Sequence, residues 1–303
     1  MNTNKHRFIR KTSASICVHL WFVVFATYAE ETPRSAMHKG LKAYRAGDYT
    51  NAVQYLEKTA LEFPAIGSYD LGNALYRNKE YEAAGKAYTE ALRSSDLELQ
   101  ANAYFNKGNT LLARTTVMTG PEQIQLAAEL AFQAEDMYEK SILLAPDDLA
   151  AKRNFERARN LRIKLEFNRG KWLYDQAENL LKEFKAKDAK QNYLQAKSQF
   201  EHILNDIDPN QNKSKQYLAN VEERLEMLRK AVEATQHNLE LAIQQIGDYQ
   251  YALAAERLVK ESDLRKYAFD LKPELKKQYE ETAKKDQEVL KIIKELSTLN
   301  QIQ

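Results

Sequence analysis

Apolar residues recur along this chain at steps of three and four, the spacing of one face of an α-helix. The longest run is Leu218, Val221, Leu225, Leu228, Val232, Thr235, Leu239, Ala242 and Ile246, a heptad seam of about four heptads. Gly247-Asp248 closes it. Leu173, Ala177, Leu180 and Phe184 make a shorter stripe, and Tyr193, Ala196, Phe200, Ile203 and Ile207 another, ended by Pro209. The polar stretch from Asn205 to Lys215 reads as a loop. A last helix is predicted after Pro273, with Leu275, Tyr279, Leu290, Ile293 and Leu296 on its apolar side. The heptad seam fits either an intermolecular coiled coil or one arm of a helical hairpin within the chain. Gly247-Asp248-Tyr249 followed by Ala252 echoes Gly47-Asp48-Tyr49 and Ala52, which favours the hairpin.

The first half carries a repeat of ~34 residues. Gly40 and Gly72 are 32 apart, and Gly72 and Gly108 are 36 apart. Each of the first two glycines precedes an alanine by 12 residues, Gly40 to Ala52 and Gly72 to Ala84. Small residues at these places let two helices cross closely, with Gly108 and Ala134 as the third pair. Tyr49 and Tyr81 fill the space near the inter-helix turn. Leu56, Tyr88 and Tyr138 pack between neighbouring units, and Pro64 and Pro146 are expected to end the second helix of a pair. Gly108 and Ala134 are 26 apart, 14 more than in the other pairs. The excess reads as a loop over Thr115–Pro121 and a lengthened second helix through Ile124, Ala127, Ala128, Ala131, Ala134 and Tyr138.

These positions resemble the tetratricopeptide repeat, a pair of antiparallel helices. The resemblance implies an all-α, helical-hairpin superhelix followed by a long-helix, coiled-coil-like region. It also implies that the first helix of each pair lines a concave face. By register that face holds Met37, Leu41, Tyr44 and Arg45, then Ile66, Tyr69, Asn73, Tyr76 and Arg77, then Asn102, Phe105, Asn109 and Leu112. Asn73 and Asn109 are spaced to meet an extended peptide backbone, and Tyr69, Tyr76 and Phe105 to anchor apolar groups. The implied partner is a protein or peptide.

A narrower likeness lies in the phrases Tyr69-Asp70-Leu71-Gly72-Asn73-Ala74-Leu75-Tyr76 and Ala103-Tyr104-Phe105-Asn106-Lys107-Gly108-Asn109-Thr110-Leu111-Leu112, with Pro146-Asp147-Asp148-Leu149-Ala150-Ala151-Lys152-Arg153-Asn154-Phe155-Glu156 closing the block. Their order resembles the tetratricopeptide proteins of bacterial aerotolerance (Bat) operons over about residues 36–165. That resemblance implies a place beside membrane proteins with von Willebrand factor A domains and a MoxR-type ATPase.

Composition agrees with an all-helical chain. Nine glycines in 303 residues is about 3%, less than half the usual ~7%, and there are 6 prolines. Sandwiches, barrels and α/β folds need more turn residues. Lys5, Arg7, Arg10 and Lys11, the apolar run Ile16–Ala26 and Thr27-Tyr28-Ala29 have the layout of an export signal. The expected organisation is a signal over 1–29, a repeat domain of about three repeats plus a following helix over 30–160, and a charged helical region with degenerate hairpins over 161–303. Such a chain is exported, to the periplasm or beyond, or is membrane-anchored if the signal is not cleaved. Formal charge is +2, but residues 1–29 carry +4 without an acid, which leaves −2 for the rest. No general attraction to nucleic acid follows. The sole cysteine, Cys17, lies inside the signal and too early in it for lipidation.

Catalytic patterns are missing. His38, His202 and His237 have no second His or Cys at ligand spacing, and there is no phosphate loop, nucleophile elbow or zinc-binding helix motif. Asp147-Asp148 reads as a helix N-cap. The sequence thus points to no enzyme activity, no cofactor, no metal and no small-molecule substrate. It leaves a binding scaffold of the envelope or, as the alternative, a self-associating coiled-coil protein.

Overall fold

The computed structural model describes residues 32–118, 120–260 and 262–299. The export signal read over 1–29, with Cys17, lies outside the described residues. Among the described residues there are twelve α-helices and no strand: α1 (Pro33–Arg45), α2 (Tyr49–Glu62), α3 (Pro64–Arg77), α4 (Tyr81–Ala91), α5 (Leu97–Thr115), α6 (Ile124–Leu144), α7 (Leu149–Lys182), α8 (Ala186–His202), α9 (Asn212–Gly247), α10 (Tyr251–Val259), α11 (Asp263–Leu271) and α12 (Pro273–Leu299). None of them is long and apolar enough to cross a membrane. Two compact units form. Among the described residues, one spans 32–114 with Asp136–Asn154; the other spans 115–135 with the residues from Phe155 onward.

Helix ends follow local chemistry. The Thr32 hydroxyl accepts from the Ser35 amide ahead of Pro33, and Asp48 accepts from the Asn51 amide. Asp148 accepts from the amides of Ala150 and Ala151 at 2.7 and 3.1 Å, so this half of the Asp147-Asp148 pair caps α7 as expected.

Four turns share one construction. Gly47, Lys79, Phe184 and Tyr249 have φ of 81°, 66°, 59° and 64°. The next residue in each donates its amide to a carbonyl five residues back: Asp48 to Ala43, Glu80 to Leu75, Lys185 to Leu180 and Gln250 to Gln245. This is the Schellman helix stop. Only Gly47 takes the left-handed conformation without a Cβ penalty, so the other three turns are held by packing of the helices they join.

Five residues after each left-handed residue stands a buried alanine: Ala52, Ala84, Ala189 and Ala254. Seven residues before it stands Gly40, Gly72, Ala177 or Ala242, also buried. At Gly72 an added Cβ would lie 2.7 Å from the Tyr88 ring, and at Gly108 it would lie 2.7 Å from Tyr138. The small residues therefore sit where one helix of a hairpin touches the other, and Leu56, Tyr88 and Tyr138, expected between neighbouring units, fill the crossings inside their own hairpins. In the second unit the same 12- and 4-residue spacings recur as Ala177–Ala189–Tyr193 and Ala242–Ala254–Leu258, matching Gly72–Ala84–Tyr88. The hairpin pattern thus extends beyond the three repeats read from glycine.

Several expectations change. Pro64 does not end a helix but takes the first position of α3, where its missing amide costs nothing. Phe184 leaves its stripe for the turn. The echo of Gly47-Asp48-Tyr49 is not Gly247-Asp248-Tyr249 but Tyr249-Gln250-Tyr251, two residues on. Ala254 is therefore the buried alanine, while Ala252 is exposed. The segment from Asn205 is not all loop. The helix widens to a π turn over Ile203–Ile207, with Asp208 donating to Ile203 O at 2.8 Å, and α9 begins at Asn212.

The heptad seam is covered within the chain. Val221 and Leu228 join Leu173, Ala177, Tyr193, Phe200 and Ile203 in one core. Leu239 and Ala242 join Ala254, Leu258, Leu275 and Tyr279 in another. The core of the first unit is Ala52, Leu56, Ala74, Leu75, Ala84 and Tyr88 with their neighbours.

Ala84 has no exposed surface, whereas Ala255 is only half-buried. Ala84→Leu is expected to cost about 1–3 kcal/mol by overpacking, and Ala255→Leu to stay within about 0.5 kcal/mol. Thermal melts compare them, and equal shifts would place Ala84 away from a crossing.

Candidate functional site

Tyr88 and Tyr138 are fully buried, so their hydroxyls need acceptors. Asparagine supplies each one from the position after a glycine. Tyr88 Oη donates to Asn73 Oδ1 at 2.9 Å, and Tyr138 Oη donates to Asn109 Oδ1 at 2.8 Å. A third asparagine links successive first helices. Asn106 Nδ2 donates to Asn73 Oδ1 at 3.0 Å and to Tyr69 Oη at 3.2 Å. Asn106 Oδ1 accepts from Asn109 Nδ2 at 3.3 Å, and Asn154 Nδ2 donates to Asn109 Oδ1 at 2.9 Å. Asn73, Asn106, Asn109 and Asn154 thus form one ladder on the first helices of the unit.

The ladder fixes which way each amide points. Asn73 Oδ1 is taken twice, and the Asn73 side chain also bonds the Tyr69 hydroxyl. Asn109 uses both its oxygen and its nitrogen internally. The two asparagines expected to meet a peptide are thus both engaged within the protein. Both also satisfy a buried tyrosine, a role that spacing alone did not show.

The other face residues divide in the same way. Tyr44 packs on Tyr49 with ring centroids 5.6 Å apart, and Tyr76 packs on Tyr81 at 5.6 Å. Arg77 lies 4.9 Å over the Tyr49 ring and donates to its hydroxyl. These three side chains join helix to helix. Tyr69 packs on Tyr88 and Phe105 on Tyr138, each half-buried. Met37 and Leu41 are half-buried, and Ile66 and Asn102 are exposed.

Asp70 stands out on this face. It lies two residues before Gly72, as Asn106 lies two before Gly108. Asn106 reaches Tyr69 and Asn73 of the preceding repeat. The residues in the same register ahead of Asp70 are Met37 and Leu41, which offer no hydrogen-bonding side chain. Asp70 accordingly has no partner, and burial pushes its carboxyl up to about 6. With the folded value above the ordinary 3.8, the native state holds the extra proton between about pH 4 and 6. Stability from this group is therefore full below pH 4 and lost as pH rises through 6. Asp70→Asn is expected to stabilise the protein by about 1 kcal/mol at pH 7.5 after allowing for solvent screening. The gain should vanish at pH 4; denaturant melts at the two values check it.

A second polar cluster, in the second unit, has no counterpart in the motif reading. Arg162 Nη1 lies 3.1 Å from Glu135 Oε2, Arg162 Nε lies 3.3 Å from Glu166 Oε1, and the guanidinium sits 4.7 Å from the centre of the Phe132 ring. All three charged side chains are about nine-tenths buried. Burial pushes both carboxyls up, with Arg162 opposing it. His202 lies at its edge, with Nδ1 2.8 Å from Asp206. The spacing of Arg162 and Glu166, four apart on one helix, was the available signal. Elsewhere in this unit Tyr193 donates to Glu178, the residue after Ala177, as Tyr88 donates to Asn73. Burial raises the Glu178 carboxyl, but bonds from Tyr193 and Arg224 hold it below its ordinary value. Among the described residues no group of three His, Cys, Asp or Glu is placed to hold a metal ion.

Residues 39–98 and 69–142 match the tetratricopeptide repeat family, together about a third of the chain. The crystal structure of a TPR repeats protein from Bacteroides fragilis is 19% identical over 64% of this chain and 99% of that one, with a TM-score of 0.28. At that score it adds no argument. No curated protein matches. The span 39–142, which holds most of the asparagine ladder and all its tyrosines, is therefore similar to tetratricopeptide repeats, within an all-helical chain.

Proposed function

We propose that the chain is a non-enzymatic protein–protein interaction scaffold, and that it binds an extended, basic peptide segment along its first-helix face over residues 33–115. Tetratricopeptide repeats generally bind protein or peptide partners. The observation that carries the finer reading is Asp70, a half-buried carboxylate without a partner on the first-helix face. An unpaired acid costs stability in the free protein, and a lysine or arginine of a ligand would repay that cost on binding. The half-buried Tyr69 and Phe105 rings suit apolar side chains.

The reading places the protein in the cell envelope, from the layout of residues 1–29. The phrase order around Gly72, Gly108 and Pro146 supports a role in an aerotolerance-type complex, with a von Willebrand factor A domain membrane protein as the partner. Selection from a random peptide library on the full chain, followed by titration, tests it. Selected peptides should carry Lys or Arg and should lose about tenfold or more in affinity for Asp70→Asn. Peptides without a basic residue, or with equal affinity for the more stable Asp70→Asn, would overturn the assignment.

A further inference from the structure

The 14 extra residues between Gly108 and Ala134 do more than lengthen a helix. In the other hairpins the second helix starts three residues before its buried alanine, at Tyr49 and Tyr81. By that rule α6 would start at Ala131, but it starts at Ile124. The added turns belong to the second unit, and with Phe132 they form one wall of a cavity of about 420 Å³. The opposite walls come from Arg162, Glu166 and Arg169 of α7 and from Gln199 and His202 of α8. That volume lies within the roughly 300–1,000 Å³ of small-molecule sites.

The charges around this cavity are incomplete. Two buried carboxylates, Glu135 and Glu166, share one buried guanidinium, Arg162. Glu166 is 9% exposed, and its Oε2 is buried without a hydrogen bond. The nearest basic group to that oxygen is His202 Nε2 at 3.5 Å, too far for a good bond. Arg169, on the same wall, acts on the Glu166 carboxyl only through space, with no hydrogen bond or close ion pair. The site thus offers Glu166 Oε2, an acceptor without a donor, and Arg169, a cation with no anion in contact; Glu135 Oε1 and Arg162 Nε are likewise buried without hydrogen bonds. Glu166 and Arg169 stand three residues apart on one helix, with Cβ atoms about 5–6 Å apart.

We infer that this cavity binds a small zwitterion, an α-amino acid with an apolar side chain, its ammonium on Glu166 and its carboxylate on Arg169. A simple cation would leave Arg169 unanswered, and a simple anion would face the Glu166 carboxylate. Ile124, Ala128 and the exposed Phe132 ring provide apolar contact for the side chain.

Isothermal titration of the full chain with L-leucine and L-phenylalanine tests the inference, alongside phenethylamine and 3-phenylpropionate, which each lack one charge. At least one amino acid should bind, and the single-charge analogues should bind at least about tenfold more weakly. Glu166→Gln and Arg169→Gln should each reduce affinity about tenfold or more. Arg169→Gln removes no internal bond, so it tests the site even if Glu166→Gln fails to fold. No binding of either amino acid at about 10 mM, an analogue that binds as well as its parent, or unchanged affinity in Arg169→Gln would each overturn it.

Discussion

Tyr88→Ala should cost the protein about 3–5 kcal/mol, the usual loss for a fully buried aromatic side chain. Tyr88 is 1% exposed, its ring would touch any Cβ added at Gly72, and its hydroxyl holds the Asn73 amide in place. Tyr88→Phe separates these roles. It keeps the ring and removes one hydrogen bond, for a loss of about 0.5–1.5 kcal/mol. Denaturant unfolding measures both. If the alanine variant lost no more than the phenylalanine variant, the ring would not be the wedge between the helices of its hairpin. The same network changes what to expect of asparagine variants. Asn73→Ala or Asn109→Ala leaves a buried tyrosine hydroxyl without its acceptor, at about 1–3 kcal/mol each. A lost partner in such a variant would therefore report on folding as well as on binding, and Asp70→Asn is the cleaner probe.

Arg162→Met should cost about 3–5 kcal/mol at pH 7.5, because it leaves Glu135 and Glu166 buried without the guanidinium they share. The loss should shrink at low pH. Burial already raises both carboxyls, and removal of Arg162 raises them further, so protonation relieves the variant before the native protein. Between pH 7.5 and 4.5 the two unfolding curves should converge. A deficit that stays constant across that range would mean that Arg162 stabilises by packing on Phe132 rather than by charge.

The fold was legible in the sequence wherever a residue's size alone carries the signal. Gly72, Ala84 and Tyr88 mark a close crossing because nothing larger or smaller fits, and their spacing survives in a linear chain. The same spacing in Ala177, Ala189 and Tyr193 was present but hidden, since alanine is common in any helix and only the buried crossing distinguishes it. The turn at Tyr249 was misread by two residues because Gly247-Asp248 imitates Gly47-Asp48. Which residue adopts the left-handed conformation there depends on where the helices meet, not on which residue adopts it most easily. Half of the candidate face was legible. Tyr69 and Asn73 fall on it by register, but the isolation of Asp70 depends on Met37 and Leu41, one repeat earlier. The cavity beside Arg162 was not legible, because its walls come from three helices far apart in sequence and only one insertion hinted at it.

The central claim is that peptide lies along the first helices of the first unit, with a basic residue at Asp70. Photo-crosslinking measures this most directly. A selected basic peptide with a photoreactive group beside its lysine or arginine is bound to the full chain and irradiated, and the attachment sites are mapped by mass spectrometry. The account predicts attachment within α1 and α3, around Met37, Leu41, Tyr69 and Asn73, and loss of attachment in Asp70→Asn. Attachment on the second helices α2 and α4, or on any helix of the second unit, with no change in Asp70→Asn, would contradict it.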